Sequence, residues 1–172
     1  MDILEIIQKR RSIRLFKDMP VSDEVLENIA RYALLAPSGR NSKPVELVIV
    51  RDKDTIKKIM KAREGAFSFL NTAPACIVVT AMEDSSTWMS DASIVATYIQ
   101  LLAVNFGLGS CWGHAHDRYH NNLSVEGEVK EILNIPEGYR VLCVIGIGYP
   151  NEEKQLHSLD EVEMKKIHRE KW

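Results

Sequence analysis

Along this chain the spacing of hydrophobic positions switches between helical and continuous or alternating patterns, and the switches mark its elements. Ile3, Ile6 and Ile7 recur at helical spacing behind Asp2, a residue type that caps helix N-termini, which predicts a short first helix ending at Arg10 and Arg11. Pro20 and Ser22 announce a second helix, with Asp23 and Glu24 in its first turn and Val25, Ile29, Tyr32 and Ala33 on one spacing, stopped before Pro37. Residues 45–50 are rich in β-branched side chains and predict a strand, and 54–62 predict an amphipathic helix with Ile56, Ile59 and Met60 inward. Residues 75–80 form an unbroken apolar run of strand length, the pattern of a strand buried on both faces. From 90 to 106 apolar residues cover most of a helical circumference, predicting a central buried helix that ends at Gly107-Leu108-Gly109 and leads into a short extended stretch, 110–113. Residues 117–122 read as a polar turn, 125–133 as another amphipathic helix stopped at Asn134, and 141–148 as a third core strand. Finally, 151–157 reads as irregular, and Ser158 with Glu161 forms a capping-box pattern that predicts a last helix running toward Trp172.

Composition narrows the function classes. At 172 residues and 45% hydrophobic, the chain fits one domain with a substantial core. Its 22 Lys+Arg against 24 Asp+Glu give a net charge of −2, so no global positive field exists for nucleic acid or an anionic membrane surface. The sequence opens on Asp2-Ile3-Leu4, without a basic and apolar leader, and contains no apolar run long enough to span a bilayer; a soluble, cytoplasmic protein is the expectation. Cys76, Cys111 and Cys143 are odd in number, far apart and set among apolar neighbours, as reduced core thiols would be.

Against this neutral background one basic cluster stands out. Arg10, Arg11, Ser12 and Arg14 put three guanidiniums and a hydroxyl within five residues, next to a helix end, which suits a small anion such as phosphate. A second polar site lies in 36–44, where Pro37, Ser38, Gly39, Arg40, Asn41 and Ser42 crowd short donors and acceptors between two prolines. A third stretch, Gly107-Leu108-Gly109-Ser110-Cys111-Trp112-Gly113, follows the central helix, and Gly146-Ile147-Gly148-Tyr149-Pro150 closes the last strand.

These four motifs, in this order and with these elements between them, resemble the FMN-dependent nitroreductase family in its short form, over essentially the whole chain. The resemblance implies an α+β fold, a central mostly antiparallel sheet wrapped by helices in a three-layer sandwich. It implies one FMN-binding domain over 1–172, whose extension 151–172 docks on the partner protomer of a homodimer, with two FMN sites at the interface. Arg10, Arg11, Ser12 and Arg14 fall on the family's first flavin motif: Arg11 acts mainly through its backbone, Arg10 or Ser12 meets phosphate or ribityl oxygens, and Arg14 lies opposite the negative edge of reduced flavin. Pro37, Ser38 and Asn41 match the second motif. Trp112, Gly113 and His114 match the segment against the flavin ring, where glycine permits close approach. The sequence departs from the family in carrying His114 and in lacking the usual basic residues near the tail, where Lys154 or His157 takes their place. The implied function is an NAD(P)H oxidoreductase that reduces a nitroaromatic, quinone or similar acceptor by a ping-pong cycle, with no side chain assigned as general acid. A non-enzymatic FMN sensor or interaction module on the same fold would keep the same residues.

Other readings fare worse. Cys111, His114, His116 and His120 offer zinc-type ligands but not the paired short spacing of a structural site. A nucleophilic Cys111 has no base placed beside it by the sequence, and Gly107, Gly109 and Gly113 do not keep the spacing of a dinucleotide fingerprint or follow a strand.

Overall fold

The computed structural model describes residues 2–172. Helix α1 (Ile3–Lys9) is capped as its sequence predicts, the Leu4 N–H donating to Asp2 Oδ1 at 2.9 Å. Helix α2 (Asp23–Ala33) is capped by Ser22, whose Oγ accepts from the Val25 N–H at 3.3 Å. Strand β1 (Val45–Val50) is followed by α3 (Lys53–Ala62), which begins one residue before Asp54 because Asp52 supplies the cap. Then come β2 (Ala75–Met82), α4 (Trp88–Asn105), β3 (Gly109–His114), a miniature hairpin of β4 (Tyr119–His120) and β5 (Leu123–Ser124), α5 (Val125–Leu133) and β6 (Tyr139–Gly148).

The main sheet has the order β1-β2-β6-β3, and every pairing in it is antiparallel. Strand register sorts side chains by face. Ile49, Ile77 and Ile145 lie in one row and pack with α2 and α4; Val48, Val78 and Val144 lie in the next row and pack with α3, α5 and Phe67. The central strands β2 and β6 are therefore buried on both faces, as the apolar run at 75–80 predicts, and the chain is a helix-sheet-helix sandwich of α+β class. A bulge interrupts the alternation: β2 partners jump from Cys143 to Val141, leaving Leu142 as the extra residue. The Leu142 carbonyl accepts from the N–H groups of Ala115 and His116 at 2.9 and 3.2 Å, fixing the chain where β3 ends.

Three expectations need correction. Helix α4 is central, but of its apolar residues only a stripe of mainly small ones, Ala92, Val95, Ala96, Ile99 and Ala103, is buried, with Asp91 beside them; Ile94 and Tyr98 are exposed. In α1 only Ile6 is buried, while Ile3 and Ile7 face outward. The predicted last helix does not form. Ser158 and Glu161 do make the capping box, but the chain from there makes only two single turns, Leu159–Glu161 and Met164–Lys166, with no buried side chain. A cap stabilises a helix end yet cannot offset nucleation, and Leu159, Val162, Met164, Ile167 and Trp172 all stay exposed, Trp172 meeting the His168 ring at 4.2 Å.

Candidate functional site

The arginine segment is held along the open edge of the sheet. Residues 12–16 leave α1 extended: Ser12 bridges Ser110 in parallel fashion, the Ile13 N–H donates to the Ser110 carbonyl at 2.9 Å, and Phe16 bridges Pro150. The first and third motifs are thereby adjacent. The tail crosses back over this segment. Glu152 Oε1 accepts from the backbone N–H groups of Arg14 and Leu15 at 2.5 and 3.2 Å, and its other oxygen pairs with Lys154 Nζ at 2.6 Å. The Lys154 bond and then these backbone donors hold the Glu152 carboxyl below the usual carboxylate range. Arg10 Nη2 donates to His157 Nε2 at 3.4 Å, and His157 Nδ1 meets Glu161 Oε2 at 2.8 Å, so one neutral tautomer satisfies both neighbours. The Arg11 side chain is taken up by the tail, its Nη1 donating to the Gln155 carbonyl. Among the described residues the Arg14 guanidinium has no hydrogen-bond or ion-pair partner, and the Ser110 hydroxyl is buried without one.

The second motif folds as a tight loop. Arg40, Asn41 and Lys43 all have positive φ, at 53, 56 and 49°, conformations that side chains other than glycine adopt only at a cost. Hydrogen bonds fix it: Ser38 Oγ accepts the Lys43 N–H at 2.9 Å, and Asp91 Oδ1 on α4 accepts the Gly39 N–H at 3.0 Å. Ser38 thus closes the loop on itself. These bonds run within the loop and to α4, and among the described residues none joins the second motif to the first within one chain.

At the far end of β3, Trp112 and His114 stack at 6.2 Å with planes 10° apart, and Arg63 Nη1 donates to the His114 carbonyl at 2.8 Å. Partial burial, then the charges of Arg118, His116 and Arg63, lower the His114 pKa. Gly113 has a reason within the fold itself: a Cβ there would come within 2.6 Å of the Phe67 ring, so glycine makes room for core aromatics. Because β3 is an edge strand, alternate backbone groups face away from β6; residues 12–13 meet that edge at Ser110 and Arg63 meets it at the His114 carbonyl.

Beyond His114 lies a buried polar network that sequence reading misses. Glu126, on α5, accepts from Arg140 Nε at 2.7 Å, from Arg140 Nη2 at 2.9 Å and from the Val141 N–H at 2.9 Å, and meets His116 Nδ1 at 3.0 Å. Burial opposes its ionisation most strongly, but the bonds from Arg140, His116 and Val141 together outweigh it and hold the carboxyl at about 2. His116 also packs edge-on against Trp88 at 4.9 Å, and the Arg140 guanidinium lies 5.5 Å from the same indole's centre. The amphipathic spacing of α5 gives no hint that Glu126 points inward; the only sequence signal is an acidic residue in a helix's first turn.

The cysteines are reduced and buried; loss of hydration raises the thiol pKa of Cys76 to about 12, of Cys143 well above its usual value, and of Cys111 less. That suppresses thiolate and disfavours a nucleophile. Among the described residues no group of three or more His, Cys, Asp or Glu is placed to hold a metal ion, and no helix is long and apolar enough to cross a membrane.

Comparison with known proteins agrees with this architecture. The nitroreductase family model matches residues 7–66 and 60–149. A relative from Archaeoglobus fulgidus, named for NADH dehydrogenase and NAD(P)H nitroreductase, is 37% identical over 180 residues and 99% of both chains. The FMN-dependent nitroreductase of Clostridium difficile R20291 superposes with a TM-score of 0.94 at 40% identity, covering 98% of this chain and 99% of that one. A Clostridium acetobutylicum structure named for NADH oxidase gives 0.87 at 33% identity, covering 97% and 99%. With the family model and full-length relatives in agreement, the chain belongs to the nitroreductase family.

Proposed function

We propose that this chain is an FMN-dependent NAD(P)H oxidoreductase, acting as a cytoplasmic homodimer on a nitroaromatic, quinone or similar small acceptor by a ping-pong cycle. The observation that carries the reading is the convergence, on the open edge of β3, of Arg10, Arg11, Ser12 and Arg14 with Lys154 and His157 from the tail. The donor chemistry fits the cofactor: guanidiniums and hydroxyls suit a phosphate and a ribityl chain, and the Arg14 guanidinium is uncommitted. When bound, FMN would supply the hydride chemistry.

The chain's own groups supply position and charge. Arg10 and Ser12 hold phosphate or ribityl oxygens; Arg14 favours negative charge at the edge of the ring it faces. Loop 37–43 presents Pro37, Ser38 and Asn41, with Ser38 acting largely by closing the loop. The 112–114 segment offers outward backbone N–H groups, its end fixed by Arg63 at the His114 carbonyl and by the Leu142 carbonyl at the next two N–H groups. No side chain here is assigned a proton.

Two features support the dimer. Ile3, Ile6, Tyr98, Leu101 and Leu102 line an apolar groove of about 410 Å³ between α1 and α4. Six large apolar residues of the tail are exposed in the single chain, and a second copy would give both surfaces a cover. The purified protein should be yellow, release FMN on denaturation, and bleach anaerobically with NADH or NADPH. Colourless protein that takes up no added FMN would overturn the reading; bound FMN that neither nicotinamide reduces would favour a sensor.

A further inference from the structure

We propose that Asp91 is a positioning residue for the cofactor-contacting loop 37–43, and that the first turn of α4 is a strut tying this loop to the end of β3. The proposal rests on the reading that the loop and the 112–114 segment face FMN.

Asp91 lies in the first turn of α4 and is only 3% exposed. A carboxylate there gains from the helix's positive end, but Asp91 spends its oxygens elsewhere: Oδ1 accepts the Gly39 N–H at 3.0 Å and Oδ2 accepts the Thr87 hydroxyl at 2.8 Å. Thr87 orients the carboxylate, and the carboxylate holds the loop. Gly39 is drawn in so closely that a Cβ would overlap the Thr87 side chain. Below the loop, Asp91 and Val95 line a hollow of about 180 Å³ whose wall includes Pro37, Ser38 and Lys43.

The loop needs such a tether. Three residues within four positions are at positive φ, and each tends to relax toward ordinary backbone unless its surroundings fix it. Within the loop the fixing bonds are Ser38 Oγ to the Lys43 N–H, the Ser38 carbonyl to the Asn41 N–H and the Gly39 carbonyl to the Ser42 N–H. They shape the loop but do not attach it to the domain; the Gly39–Asp91 bond does.

The same turn is gripped from the other side. Trp88, three residues before Asp91, packs against the His116 ring and under the Arg140 guanidinium, and both belong to the Glu126 network. His116 is two residues beyond His114, and its N–H is held by Leu142. A continuous set of contacts therefore runs from loop 37–43 through Asp91, Thr87 and Trp88 to the strand end, fixing the spacing of two segments far apart in sequence.

The test compares Asp91→Ala, Asp91→Asn and Thr87→Val with the unaltered full-length protein, each stripped of cofactor and titrated with FMN. Thermal unfolding and hydrogen exchange at the Gly39 amide are measured in parallel. Asp91→Ala should weaken FMN binding by about 10- to 100-fold, the cost of one charge-assisted hydrogen bond, and expose the Gly39 amide to exchange. Asp91→Asn keeps an acceptor and should stay within about threefold, with Gly39 still protected. Thr87→Val, which loosens the carboxylate without removing it, should fall between and serves if the alanine variant does not fold. Equal losses in the asparagine and alanine variants, or lowered unfolding temperature with unchanged FMN affinity, would mean that Asp91 merely stabilises α4. If the unaltered protein binds no FMN, the functional reading fails separately, and Gly39 exchange alone decides: protection lost in Asp91→Ala supports the tether, and protection retained overturns it.

Discussion

Strand β6 and the tail beyond it lie next to each other in sequence and stand at opposite ends of the energetic scale. From Val141 to Gly148 β6 is buried throughout, its backbone paired with β2 on one side and β3 on the other. From Leu159 to Trp172 the chain also carries large apolar residues and even a complete capping box, yet Leu159 is 80% exposed and Trp172 fully so. Apolar content is not what separates them. Val141, Val144 and Ile145 meet rows of matched residues already placed by neighbouring strands, whereas the tail's apolar side chains stay exposed around two single turns. The contrast says where to look for a partner: β6 is finished within one chain and the tail is not.

Substitution should expose that contrast most clearly. Ile145→Ala removes a fully buried side chain between α4 and the sheet and should cost about 2 to 5 kcal/mol, read as a lower denaturant midpoint. Leu159→Ala, an equally large truncation, should change single-chain stability by less than about 0.5 kcal/mol. A comparable loss at the two positions would mean that the tail is packed in solution in a way the single chain does not show.

Acid should separate the regions next. Glu126 is buried beneath β6 and held at about 2, against about 4.5 for an ordinary glutamate. Its folded pKa is depressed, so its contribution is complete above about pH 4.5 and is lost as pH falls from there toward 2. The size is on the order of 3 to 4 kcal/mol, since each tenfold change in proton affinity is worth about 1.4 kcal/mol. Glu126→Gln should flatten this acid limb and destabilise the protein at neutral pH by leaving Arg140 short of its partner. Glu161, exposed in the tail, is also depressed, by His157 and the Ser158 N–H, but its substitution should leave the acid limb unchanged. An unaltered acid limb in Glu126→Gln would remove the network from any account of stability.

Much of this was legible in the sequence because it is written locally. Strands β1, β2 and β6, the caps at Asp2 and Ser22 and the stop at Asn134 come from residue types and spacing within a few positions. The parts of the site were legible as motifs, and the structure joins the first to the third through Ser12 and Ser110. The hidden features depend on distance. Asp91 to Gly39 and Arg140 to Glu126 span 52 and 14 residues, and nothing in the spacing of α4 or α5 says that a carboxylate turns inward. The missing last helix is the converse failure: a correct local signal at Ser158 and Glu161 without the packing surface that a helix of that length requires.

The smallest effect on the folded chain, and the most direct test of the tail's purpose, is its removal. Ending the chain before Ser158 deletes residues that bury no side chain here, while Glu152, Lys154 and Gln155 remain over the arginine segment. His157 loses Glu161 but keeps Arg10, and its backbone N–H still reaches the Gln8 carbonyl at 2.9 Å. Unfolding of the dilute monomer should therefore shift by no more than about 0.5 kcal/mol. Association should respond differently. If Leu159, Val162, Met164, Ile167 and Trp172 lie on a second copy, their loss should move the sedimentation boundary toward monomer at concentrations where the full chain is dimeric. A cofactor shared by two chains stabilises their association by mass action, so the truncated protein should also lose FMN on dilution. Truncated protein that sediments as a dimer and retains FMN like the full chain would show that the partner does not cover the tail, and would leave the groove between α1 and α4 to carry the interface alone.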